Sequence, residues 1–235
     1  MPLLSVDQML AIEGHWNWLL NNMGAELIQS KPVLVPNEGA FPIRYDGTKD
    51  SAIKTLEILA RQMDIDPSEL HLKLYSESGN SIGAGNMGPI FLKTFDRTAG
   101  LYWGRNEEDG LFHVGLEQEH LRDPEGMVAT LSHELAHVKL LGKELLEKND
   151  EPLTDLTTIA FGLGIFSANS AFRFHQGYDS WGYKSEGYLN QMEWGHALAL
   201  YARTRSESKP SWLRYLNINI QADFKRSIAY LDRVQ

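Results

Sequence analysis

No cysteine occurs in the 235 residues. That absence excludes disulfide frameworks, thiolate zinc knuckles, iron–sulfur clusters and cysteine nucleophiles together, so any metal has to be held by His, Asp or Glu. Positive charge is also scarce. The 22 Lys and Arg face 31 Asp and Glu, a formal net charge of −9, and such a surface repels phosphate backbones and anionic lipid headgroups. Neither nucleic acid nor a membrane is therefore an expected partner. Long apolar runs are missing as well: the longest, residues 159–166, is interrupted by Gly162 and Gly164, against roughly 20 apolar residues for a membrane span. Residues 1–10 lack a basic stretch and carry Asp7 and Gln8 where a signal peptide would be apolar, so the expected location is cytoplasmic. Repeats and low-complexity tracts are absent. With 43% hydrophobic and 23% charged residues, the composition is that of a folded globular chain. We expect one domain over 1–235, with 1–66 a helical subregion and 67–205 the core.

The local patterns mark out elements. Ser5 and Gln8 form a capping-box pair, and Val6, Met9, Leu10, Ile12, Trp16, Leu19 and Leu20 keep helical spacing as far as Gly24. Pro32, Pro36 and Pro42 make the next stretch extended. Ile53, Leu56, Leu59, Ala60 and Met63 then mark a second helix. Leu70, Leu72 and Leu74 alternate with His71, Lys73 and Tyr75, the period of a strand with one buried face. Residues 101–103 and 111–116 read as a hairpin about the turn-rich 106–110.

Gly83, Gly85 and Gly88 spell GxGxxG. A dinucleotide site requires a helix to open within that motif, and Pro89 followed by the extended-looking residues 90–95 argues against one. We read 79–88 as a loop and a candidate lid.

The chemistry concentrates further on. Asp123-Pro124-Glu125 is a helix start, because Asp caps free amides, Pro suits the first turn and Glu complements the positive end of the dipole. The helix is expected to run about 25 residues, with Val128, Leu131, Leu135 and Val138 as its apolar stripe. His133 and His137 project together on a neighbouring face, with Glu134 between them. This HExxH spacing sets two imidazoles one turn apart, so both reach one zinc at about 2.0–2.1 Å. With 8 His and 18 Glu in the chain, chance produces about 0.02 such patterns. The competing explanation is a pair of surface histidines on a solvated face.

An open zinc site needs a third protein ligand and leaves the fourth position for water. Leu140 and Lys143 stand where a metzincin continuation would place Gly and His. A carboxylate is the next candidate. Glu151 and Asp155 lie four apart on a helix opened by Pro152, and either completes the set, as would a remote His175 or His196. The alternative for this pair is an ordinary acidic first turn. The helix expected at 156–174 contains Gly162 and Gly164, and a close approach to the HExxH helix would compensate their poor propensity.

HExxH followed by ExxxD resembles the gluzincin-type zincin metallopeptidases, over about 25 residues of the chain. The resemblance implies an α+β zincin-like fold, a small mostly antiparallel sheet with the HExxH helix packed against further C-terminal helices. It implies Zn²⁺ held by His133, His137 and Glu151, Glu134 as general base, and Asp155 orienting a ligand histidine. Oxyanion stabilisation needs one more donor, and Arg173, His175, Tyr178, Tyr183, Tyr188, His196 and Tyr201 are candidates. Tyr188, expected to open a third helix, is the residue selected for that catalytic role. His15, His71, His113 and His120 have no ligand spacing. The resulting expectation is a zinc-dependent metallopeptidase acting on peptide or protein substrates; the alternative is a non-catalytic interaction or regulatory protein of the same fold.

Overall fold

The computed structural model describes residues 4–76, 100–177 and 189–233, with side chains described for all of these except 100–103 and 172–177. The GxGxxG loop, its lid role and the extended run at 90–95 lie outside the described residues. The described residues form eight α-helices and one three-stranded sheet, an α+β protein. They divide into two compact units, residues 42–147 and residues 1–41 with 148–235.

In the unit 42–147, Thr48 caps α1 (Lys49–Gln62) by accepting the Ser51 N–H. Asp66, carrying the next Pro, opens only a short 3₁₀ turn. Strand β1 (Leu70–Tyr75) follows, then β2 (Gly100–Arg105) and β3 (Phe112–Glu117). The hairpin is as expected. Asn106 Oδ1 accepts the N–H groups of Glu108 and Asp109, and Gly110 at φ 70° takes the left-handed turn position. The sheet order is β1-β3-β2. β2 runs antiparallel to β3, but β1 runs parallel to it with Leu70 opposite Phe112. The sheet is thus mixed, which corrects the mostly antiparallel expectation: hydrophobic alternation gives a strand its period but not its direction. The alternation itself is partial, since only Leu72 of the three β1 leucines is buried.

Helix α2 (Pro124–His137) packs on β2, β3 and α1. Val128, Leu131, Leu135 and Val138 are all buried, as their spacing predicts, each Leu contributing about 1.5–3 kcal/mol by leaving water. The α-helix is shorter than expected, 14 residues. It continues as a π turn over Val138–Gly142, closed by Lys143 N–H to Val138 O at 3.0 Å.

The other unit is helical. Helix α3 (Val6–Met23) has the capping box at Ser5 and Gln8 and ends at Gly24. Its buried face is Met9, Ile12, Trp16 and Leu19, while Val6 and Leu10 are exposed. A short helix α4 (Ala25–Ser30) that the spacing did not reveal follows. Then come α5 (Glu151–Ala160), α6 (Gly164–Gly177), α7 (Gln191–Thr204) and α8 (Ile218–Leu231). The helix expected at 156–174 is therefore two helices. Gly162 sits between them at φ 77°, and a Cβ there would lie 2.3 Å from the Pro32 carbonyl oxygen. At Gly164 an added Cβ would meet Ile159 and Leu198. These contacts lie within this unit. The close approaches seen at the two glycines are those of the 32–34 segment, of Ile159 and of α7, where the sequence suggested the HExxH helix. No helix among the described residues is long and apolar enough to cross a membrane.

Candidate metal centre

In the unit 42–147, Asp123 Oδ1 accepts the Gly126 N–H at 3.1 Å and fixes where α2 begins. That start sets the rotational phase of everything after it. His133 and His137 fall one turn apart, ring centroids 4.8 Å apart and planes 86° to each other. The two imidazoles thus meet edge to face and are not stacked. His133 is half-buried. His137 and Glu134 are 7% and 5% exposed, which removes the solvated-face alternative.

The other unit positions the acidic candidates. Asp150 caps α5, its Oδ1 accepting the Leu153 N–H at 2.9 Å, and its Oδ2 lies 3.2 Å from His15 Nε2. Glu151 is the first residue of α5, half-buried, and its Oε1 accepts the Asn149 side-chain amide at 2.7 Å. Asp155, one turn on, is 3% exposed, and its Oδ2 accepts the Leu189 backbone N–H at 3.1 Å. A carboxylate so far from water requires partners of this kind. His15 and Asn149 escaped the sequence reading because their contacts carry no periodic signal; the pair His15–Asp150 spans 135 positions.

No family model, curated protein or solved structure matches this chain. The residues themselves therefore carry the argument.

The remote candidates fare differently. His196 is buried on α7, its Nε2 3.4 Å from Glu13 Oε1. Burial pushes its pKa below the ordinary histidine value, and the Glu13 carboxylate acts in the opposite direction. Tyr201 is buried among Trp16, Trp212 and Arg205, and burial raises its hydroxyl pKa. Both belong to the packing of their own unit. Tyr188, Tyr178 and Tyr183 lie outside the described residues, as do the side chains of Arg173 and His175. The third helix opens at Gln191, not at Tyr188: Asn190 caps it with Glu193 as reciprocal partner.

Proposed function

We propose that this chain is a zinc-dependent metallopeptidase of the gluzincin-like, zincin-fold kind, in which His133, His137 and Glu151 hold the metal and Glu134 is the general base. The observation that carries the reading is the perpendicular His133–His137 pair on one capped helix, with a buried Glu134 between. The donor types fit zinc. Two imidazoles and one carboxylate are ligand types that zinc takes, and such a three-ligand set leaves a coordination position open. Structural zinc sites instead close with four protein ligands.

Zinc bound there would supply Lewis acidity, bringing the pKa of a water toward about 7 and polarising the scissile carbonyl. The protein's own part is proton handling. Glu134, shielded from bulk solvent, accepts the proton of the attacking water and delivers it to the departing amine, a contribution of about 10²- to 10⁴-fold. Asp155 acts through a ligand histidine, fixing its orientation and basicity. Asn149 restrains Glu151 by donating to its Oε1.

The test is Glu134→Gln. Metal content by elemental analysis stays at the wild-type stoichiometry, while turnover of a fluorogenic peptide library falls by two orders of magnitude or more. Equal turnover in the variant overturns the base assignment. Wild-type protein with no stoichiometric metal, purified without chelators, overturns the metal site.

A further inference from the structure

A cleft of about 220 Å³ lies between α1 and β1 in the unit 42–147. Ile53, Leu56, Leu70 and Leu72 give it an apolar wall. Three charged or titratable side chains join them: Lys49, Glu57 and His71. Glu57 is already neutralised, since its Oε2 accepts from Arg61 at 3.1 Å. Lys49 is exposed and makes no ion pair among the described residues. The uncompensated charge of the cleft is therefore positive, on a unit whose surroundings are acidic.

His71 is exposed on β1. Its ring lies 5.1 Å from that of His113, its neighbour across the parallel β1–β3 pair. His113 is itself fixed: Nε2 lies 2.8 Å from Asp109 Oδ2, and Nδ1 is 3.5 Å from the Asn106 amide. An imidazole and an ammonium lining one cleft can together bind an anion, and the apolar wall selects what the anion is attached to. A cavity of about 150 Å³ holds benzene, so about 220 Å³ takes a ligand of about eight or nine heavy atoms.

We propose that this cleft binds a short-chain aliphatic carboxylate, its tail on Leu56 and Leu72 and its carboxylate between Lys49 and His71. The site is independent of the metal centre. His71 faces His113, Lys73, Lys49 and Asp109; burial and the first three lower its pKa, and Asp109 opposes them. A bound carboxylate favours the imidazolium, so binding raises the His71 pKa and tightens as pH falls.

Hexanoate is titrated into the full chain, metal-loaded and EDTA-treated, with the His71 ring protons followed by NMR and hexylammonium as the charge-reversed control. The expected result is a saturable shift at millimolar hexanoate in both forms and none with hexylammonium. Lys49→Ala weakens binding about tenfold, the scale of one charge-assisted hydrogen bond, and His71→Gln abolishes the tightening at low pH. Any of four results overturns the proposal: no saturable shift at His71, an equal response to hexylammonium, unchanged affinity in Lys49→Ala, or binding only in the metal-loaded form. The last would place the ligand on the metal.

Discussion

Asp155 Oδ2 accepts the Leu189 backbone N–H at 3.1 Å, so a carboxylate buried in α5 anchors the chain just before α7. Asp155→Ala leaves that buried N–H without its acceptor and costs about 1–3 kcal/mol in urea unfolding. Asp155→Asn keeps an acceptor oxygen and costs less. If Asp155 also orients a ligand histidine, both variants lose metal affinity, by about 10- to 100-fold. Unchanged affinity in Asp155→Asn, measured by competition with a chelator, leaves the residue a purely structural anchor.

Gly162 is the junction of α5 and α6. Its carbonyl accepts the Leu34 N–H at 2.9 Å, and its φ of 77° favours glycine. In Gly162→Ala the new Cβ meets the Pro32 carbonyl as well as backbone strain. The expected loss is at least about 2 kcal/mol, read as a lower denaturation midpoint. A neutral Gly162→Ala would show that the 32–34 segment yields easily.

How much of this was legible beforehand follows from the range of each signal. Ser5, Asp123 and Asn106 announce caps and turns through residues two or three positions away, and they are where the pattern places them. HExxH is equally local, fixed by one helical turn. Strand direction in β1, the break at Gly162 and the His15–Asp150 contact depend on partners far along the chain. Periodicity holds no information about those. Val6 and Leu10 make the same point in reverse: they keep helical spacing yet stay exposed, because the pattern says which residues share a face and not how wide the covered part is.

Arg205 shows a similarly distant role. One guanidinium nitrogen contacts the carbonyls of Ile28, Gln29 and Lys31 at 3.0, 2.9 and 2.8 Å, while Nε donates to Glu207 at 2.8 Å. It thereby satisfies the carbonyl end of α4, a helix too short to persist alone. Lysine retains the charge but cannot serve both directions from one rigid fork. Arg205→Lys is expected to cost about 1–2 kcal/mol, with hydrogen exchange accelerated in 25–31. Unaltered exchange there would mean that α4 is held by Ile28 burial alone.

Acid sensitivity follows from one buried and one half-buried histidine, His196 and His120. Desolvation lowers the pKa of His196, against the pull of Glu13, and that of His120, against Asp123 and Glu119. Unfolded, each takes up a proton near pH 6.5; folded, each resists until lower pH. The unfolded state binds more protons in that interval, so stability is complete above about pH 6.5 and declines below it, down to the folded-state values. Urea midpoints measured across this range should show the decline, and His196→Gln should flatten its slope. A slope unchanged by that substitution removes His196 from the account.

The π turn at Val138–Gly142 gives the polypeptide a place to absorb changes in its own length. A helix advances about 100° per residue, so losing one residue within 124–132 swings His133 away from the direction that the Asp123 cap sets. Losing one within 139–141 instead rewinds the wide turn into an ordinary α turn, with every residue up to His137 undisturbed. The register of the two imidazoles is thereby insulated from a one-residue deletion just downstream, and the chain can be shortened there without turning either ring.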